Sequence, residues 1–189
     1  MQQLIEEKSF ERKDFSKTGF EKGDYELCSF TNCNFSNTDL SQIRFIECEF
    51  KDCNLSTAIL NKTEFQDVVF QDCKMLGMFF EKCSDFAFSI KVENCQLNHS
   101  SFYQKKLSKT TFSNTKLQEV DFTECDLSSA VFEDCDLRNA IFNNTDLRQA
   151  DFRNSYDFVI DPEDNRMKGA KFSLASVGGL LAKYGISLE

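Results

Sequence analysis

Every fifth residue of this chain is large and apolar. Starting at Phe10, the series runs Phe10, Phe15, Phe20, Tyr25, Phe30, Phe35, Leu40, Phe45, Phe50, Leu55, Leu60, Phe65, Phe70, Met75 and Phe80 without a polar member. It slips by two residues, resumes at Val92, and continues through Leu97, Phe102, Leu107, Phe112, Leu117, Phe122, Leu127, Phe132, Leu137, Phe142, Leu147 and Phe152. Two residues before most of these sits a small one, among them Cys28, Thr38, Ala58, Thr63, Ser100, Thr115, Ala130 and Ala140. The other three positions of each five are mostly polar or charged. An α-helix puts residues five apart far around its axis, and a strand alternates with period two, so neither fits as a long element. Short extended pieces joined by frequent corners do fit, with the small and large residues inward and the rest outward.

Counted in twenties, the inward residues fall into four columns. In the C-terminal half these are Val92/Phe112/Phe132/Phe152, Leu97/Leu117/Leu137, Phe102/Phe122/Phe142 and Leu107/Leu127/Leu147. Each column carries nearly one residue type, as when identical side chains stack along an axis. The 21 Phe beside 7 Gly, one Pro and no Trp suit one simple unit used many times. Segments such as Ala130-Val131-Phe132-Glu133-Asp134, Cys135-Asp136-Leu137-Arg138-Asn139 and Thr145-Asp146-Leu147-Arg148-Gln149 resemble the pentapeptide-repeat family. The resemblance covers roughly residues 8–172 and implies an all-β fold, a right-handed quadrilateral β-helix with four five-residue faces per coil. Residues 1–172 then form one solenoid, in blocks of about 8–82 and 90–172. With strands ~4.8 Å apart, seven to eight coils make a rod of roughly 35–40 Å, filled by its own Phe and Leu columns.

The pattern breaks in three places. Twelve residues separate Phe80 from Val92 where ten are expected, and Asp85 falls where a core residue belongs. The slip is either a tolerated insertion at a corner or a projection with a function. Lys8, Lys13 and Lys105 occupy small-residue positions. The first two suit an imperfect end coil from which a long side chain escapes to water. Lys105 reads as a local distortion, because an unpaired buried ammonium is costly. After Phe152 the repeat decays through the single proline, Pro162, and returns once at Ala170-Lys171-Phe172. Leu174, Val177, Leu180, Leu181 and Tyr184 then recur at helical spacing, with Ser173 as N-cap and Gly185 as stop, although Gly178 and Gly179 weaken the pattern. This predicts a short C-terminal helix within 173–189 that caps the open β end and offers a surface to a second copy.

Nine cysteines all fall in the small-residue column, spaced by fives and never as C-x-x-C. They read as small core hydrophobes and suit a reducing, cytoplasmic setting. His99, the only histidine, has no repeat-anchored Cys or Asp to make a nucleophile or a zinc site, and reads as a surface residue. With no phosphate loop or hydrolase motif either, no catalytic residue, metal or cofactor is expected, and the chain does not read as an enzyme. No run of 18 apolar residues suggests a membrane span. Met1-Gln2-Gln3-Leu4-Ile5-Glu6-Glu7 lacks the regions of a secretory signal, and the closing Leu188-Glu189 reads as a cloning remnant.

A net charge of −9 and a pI near 4.8 speak against direct nucleic-acid binding. From Glu119 to Asp164 thirteen acidic residues stand against three arginines, a local net of −10, whereas Gln96 to Gln118 holds no acid and Lys105, Lys106, Lys109 and Lys116. Asp126 and Asp146, twenty apart, should stack. Glu124, Asp126, Glu133, Asp134, Asp136, Asp146 and Asp151 are therefore the candidate partner-binding acidic face. Such a surface either keeps a β-rich rod soluble or presents carboxylates to a basic groove built for DNA. The tail, Ile160-Asp161-Pro162-Glu163-Asp164-Asn165 with Ala170-Lys171-Phe172 and Leu180-Leu181-Ala182-Lys183-Tyr184-Gly185-Ile186, resembles the end of the quinolone-resistance (Qnr-type) and microcin-immunity pentapeptide proteins. That resemblance implies a homodimer through Leu174, Val177, Leu180, Leu181 and Tyr184. It also implies a DNA mimic that binds a type II topoisomerase, DNA gyrase or topoisomerase IV, and protects it from quinolones or a gyrase-targeting toxin. The chain lacks the long N-terminal loops of several Qnr-type members. A scaffold for an unrelated partner, using the Lys105–Lys116 girdle or the Asp85 bulge, is the alternative. An enzyme accessory module would need an attached domain.

Overall fold

The computed structural model describes residues 3–186, so Leu188 and Glu189 lie outside the described residues. The strands are three or four residues long: β1 Leu4–Glu6, β2 Ser9–Glu11, β3 Asp24–Glu26, β4 Ser29–Thr31, β5 Arg44–Ile46, β6 Glu49–Lys51, β7 Glu64–Gln66, β8 Val68–Gln71, β9 Ile90–Glu93, β10 Thr111–Ser113 and β11 Val131–Glu133. They form two parallel sheets, β1-β3-β5-β7 and β11-β10-β9-β8-β6-β4-β2. Partners within a block are twenty apart, as in Ile5↔Tyr25, Phe10↔Phe30, Phe45↔Phe65 and Phe112↔Phe132. Single bridges such as Asn34↔Asn54 and Asp39↔Ile59 make the other two sides. The result is a four-sided parallel β-solenoid of about six regular turns, and the bridges Val131↔Asp151↔Lys171 carry one side further.

The interior is a set of stacked side chains. Phe30, Phe50 and Phe70 are fully buried, with ring centroids 4.7 and 5.2 Å apart along the axis, and Phe112, Phe132 and Phe152 repeat the arrangement at 5.2 and 4.7 Å. At nearly every corner, the residue two beyond the large one is left-handed, as at Asn32, Asn37, Gln42, Glu47 and Asp52 with φ between 50° and 63°. A non-glycine residue there costs of order 1 kcal/mol. Asn and Asp tolerate it best, and the main chain fixes it: Asn37 N–H donates to Ser56 O at 3.1 Å and Asp52 N–H to Gln71 O at 3.0 Å, one coil on.

The same corners explain the small-residue column. At tight corners the carbonyl of the large residue accepts a main-chain N–H three residues on, as in Ala58 N→Leu55 O and Ala130 N→Leu127 O, both 3.0 Å, and alanine suffices. After the strands of the long sheet that bond is missing. There a side chain from the next coil donates instead: Cys33, Cys53, Cys73, Cys95 and Cys135 reach the carbonyls of Phe10, Phe30, Phe50, Phe70 and Phe112 at 3.2–3.5 Å. Ser155 does the same for Phe132 at 2.7 Å. The cysteines thus fill space and give buried carbonyls of the preceding coil a side-chain donor that alanine lacks. All nine are free and buried, and burial pushes the Cys48, Cys125 and Cys135 thiols up to about 12.

The slip shifts the register from twenty to twenty-two, pairing Phe70 with Val92, and the four-stranded sheet ends at β7. Here the structure corrects the reading of Lys105. Its side chain is 2% exposed, and Nζ donates to Cys83 O and to Asp85 Oδ1, both at 2.6 Å, above the Phe88 ring at 5.1 Å. The ammonium is truly buried, and Asp85, one coil earlier, compensates it. Lys8 and Lys13 are exposed in the first coil, as expected.

The C-terminal helix is also corrected. Phe172 stacks on Phe152 at 5.2 Å as a last partial coil, but the chain beyond it makes a turn at Ser173–Ser176 and two 3-10 turns, Val177–Leu180 and Ala182–Tyr184. The glycine pair disfavours an α-helix, and the tail lies too close to the rod to carry side chains throughout. A Cβ on Gly179 would sit 2.1 Å from Phe158 O, while Gly179 O accepts the Ile160 N–H at 3.1 Å. Leu180 packs on the core edge, so the segment still covers the end of the rod. Among the described residues no helix is long and apolar enough to cross a membrane.

Candidate interaction surface

The seven sequence-predicted acids do not share one side. Cross-coil bridges put Asp126 and Asp146 in one column, stacked as expected, Asp151 in a second beside Val131, and Asp136 in a third beside Lys116. Glu124 projects from the corner before Asp126, and Glu133 and Asp134 from the corner before Asp136.

Four of them are turn builders as well as charges. Asp126, Asp136, Asp146 and Asp151 each accept, through Oδ1, the main-chain N–H two residues on, at 3.0–3.2 Å. This Asx geometry is a local reason for aspartate just before the large residue. Asp146 is also clasped by Arg148 at 2.5 Å and Asp151 by Arg153 at 2.7 Å, with Arg166 and Lys171 each 3.7 Å away. The arginine hydrogen bonds hold both carboxyls below the usual carboxylate range. The terminal coil therefore neutralises part of the acidic half.

What remains is a collar. Glu119, Asp121, Glu124, Asp126, Glu133, Asp134 and Asp136 ring a single coil. Among the described residues none of the last six lies within 4 Å of a cationic nitrogen, and Glu119 meets only the exposed His99, at 3.0 Å. Gln104 Nε2 donates to Glu124 at 2.7 Å and Gln118 Nε2 to the buried Asp136 at 2.6 Å. Glu133 and Asp134 are exposed and make no side-chain bond among the described residues. Glu119 and Asp121 are additions to the sequence-predicted set, although the twenty-residue count places both in this coil. Lys106 and Lys116 stand directly before Asp126 and Asp136 in the adjacent coil, so a basic ring borders the collar.

Of the apolar tail residues, Leu174 is 95% exposed and Tyr184 is exposed, whereas Val177, Leu180 and Leu181 are half-buried. Lys183 ties the tail down through Asp161 and Glu163, both at 2.6 Å. Among the described residues, no group of three or more His, Cys, Asp or Glu side chains is placed to hold a metal.

A family profile described as a pentapeptide repeat region matches residues 23–87 and 88–156. Comparison with curated proteins gives no match. Among solved structures the chain is similar to full-length QnrB1, a plasmid-mediated fluoroquinolone resistance protein, with 22% identity, a TM-score of 0.52, and coverage of 97% of this chain and 100% of that one. It is also similar to HetL, a pentapeptide repeat protein involved in heterocyst differentiation regulation from a Nostoc cyanobacterium, at 16% identity, a TM-score of 0.36 and coverage of 89% and 86%. At these identities the QnrB1 likeness speaks for the fold alone.

Proposed function

Because the chain belongs to the pentapeptide-repeat family, we propose that it acts without catalysis, as a rod whose acidic collar enters a cleft built for DNA. The partner we propose is a type II topoisomerase, gyrase or topoisomerase IV, protected from quinolones or a gyrase-targeting toxin in the cytoplasm. The collar carries this reading. It puts seven carboxylates around one coil, a rise of ~4.8 Å, over which duplex DNA carries roughly three charges. Acids on several sides suit insertion into a groove that wraps its ligand, where charge complementarity raises association rate and selects the partner. The QnrB1 fold likeness directs the choice of partner. In a gyrase supercoiling assay, the protein at micromolar concentration is expected to inhibit supercoiling or to restore it in the presence of ciprofloxacin. Neither effect would reject the topoisomerase reading and leave the scaffold for an unrelated partner.

Dimerisation through the tail is part of the proposal. The exposed apolar side chains of Leu174 and Tyr184 are the observation that supports it. Light scattering is expected to show a dimer that Leu174→Glu converts to a monomer. A monomeric parent, or a dimer unchanged by the substitution, rejects that interface.

A further inference from the structure

The coil-to-coil ladder has a gap on the N-terminal half, one coil before the slip. On this side of the rod, each large residue normally donates its N–H to the coil after it and each following strand donates back. Leu40 N→Ile59 O and Ile59 N→Thr38 O are both 2.9 Å, and Phe80 N→Ser101 O and Ser101 N→Met78 O are both 2.8 Å. Between those two rungs the pattern fails. The Leu60 and Phe79 N–H groups and the Ala58 carbonyl have no hydrogen-bond partner among the described residues, at the point where the chain tightens into the turn Phe80–Lys82 and Lys82 N donates to Phe79 O at 3.2 Å. The gap is a surface recess of about 270 Å³, lined by Ala58, Ile59, Leu60, Gly77, Phe79 and Lys82.

Two large apolar side chains flank the recess, Ile59 at 46% and Phe79 at 54% exposure. The patch is two coils tall, since Asp39 precedes Ile59 and Ser101 follows Phe79 in the same column. Lys62 and Lys82 occupy successive coils at the adjoining corner, joined by Lys62 N→Lys82 O at 2.8 Å. Both are exposed, and among the described residues neither has a carboxylate within 4 Å. The neighbouring acid, Glu81, does not line this recess but the next one, with Asp85 and Lys105, and Lys82 stands between the two.

We infer that this recess is a docking site for an extended, acidic peptide segment of a protein partner, bound by main-chain pairing and one bulky apolar side chain. Open main-chain donors and an acceptor are what an added extended segment completes. The recess takes the apolar side chain between Ile59 and Phe79, and carboxylates beside it meet Lys62 and Lys82. The site lies on the half of the rod away from the collar and does not depend on the topoisomerase reading.

The test uses the full chain and a blocked six-residue peptide with two central leucines flanked by aspartates. A peptide with lysines replacing the aspartates is the control. In amide NMR spectra the acidic peptide, at up to about 1 mM, is expected to shift signals of residues 57–62 and 77–82. Phe79→Ser and the pair Lys62→Glu with Lys82→Glu are expected each to weaken binding about tenfold or more, while Glu133→Lys leaves it unchanged. In the free protein, the Leu60 and Phe79 amides should exchange with solvent faster than those of Phe80 and Ser101. No shifts, shifts elsewhere, equal binding of the lysine peptide, or protected Leu60 and Phe79 amides would overturn the inference.

Discussion

Phe50→Ala is expected to destabilise the protein by about 3–5 kcal/mol. Phe50 is fully buried, stacked on Phe30 and Phe70 and met edge-on by Phe35 at 5.6 Å and Phe45 at 5.3 Å. Its removal takes away apolar burial and leaves a gap that four rigid rings cannot close, because the backbone of each coil is fixed by hydrogen bonds on both sides. In a solenoid every coil draws its stability from its neighbours, so the loss also weakens the joint between the coils before and after it. Chemical denaturation followed by circular dichroism reads the effect. Phe86→Ala is the control: that ring is 69% exposed, and its loss should cost less than about 0.5 kcal/mol. A Phe50→Ala cost below about 1 kcal/mol would mean that the interior is not a solid stack.

The second large effect is at the slip. Asp85→Ala leaves the Lys105 ammonium with only the Cys83 carbonyl and the Phe88 ring. Removing one partner of a buried pair commonly costs about 3–5 kcal/mol. The Asp85 side chain is 75% exposed, so water takes over part of its role, and about 2 kcal/mol is expected. Lys105→Met, which keeps the volume and removes the charge, should be neutral within about 1 kcal/mol. In the Lys105→Met background, Asp85→Ala should then cost almost nothing. Additive losses in that double-mutant cycle would show that the two residues act independently.

Both effects bear on what the amino-acid order discloses. The Phe and Leu columns, the position of the slip and the last coil at Phe172 are all legible, because an inward position repeated every five residues leaves few other ways to bury so much Phe. Lys105 misleads for an identifiable reason. The cost of a buried ammonium counts against it only when its partner is left out, yet the same count of twenty sets Asp85 before it. The tail misleads because Val177, Leu180, Leu181 and Tyr184 carry helical spacing while Gly178-Gly179 carries the opposite signal, and close packing of Gly179 on Phe158 decides the outcome. The role of the thiols is invisible in the sequence because it depends on which corners lack a main-chain bond, a property of the coil and not of any single five-residue unit.

The candidate surface is legible as charge but not as shape. Aspartate before the large residue serves the turn at Asp39 and Asp121 as well, so Asp126, Asp136, Asp146 and Asp151 each have a local role besides their charge. Glu124, Glu133 and Asp134 are different. Glu124 and Asp134 stand at the left-handed corner position, at φ 58° and 51°, which the fold fills elsewhere with uncharged Asn32, Asn37, Gln42, Thr57 and Ser129 as well as with charged residues, and Glu133 ends β11 where Ser113 ends β10. Their charge is not needed to build the coil. They are the residues through which the collar claim stands or falls.

Displacement of labelled duplex DNA from gyrase, followed by fluorescence anisotropy as the protein is added, tests that claim most directly. The collar account predicts that the protein releases the duplex, that release weakens as salt rises, and that a variant carrying Glu124→Lys, Glu133→Lys and Asp134→Lys folds normally but releases none. Failure of the parent protein to displace DNA, or displacement by the triple variant equal to that of the parent, would contradict it.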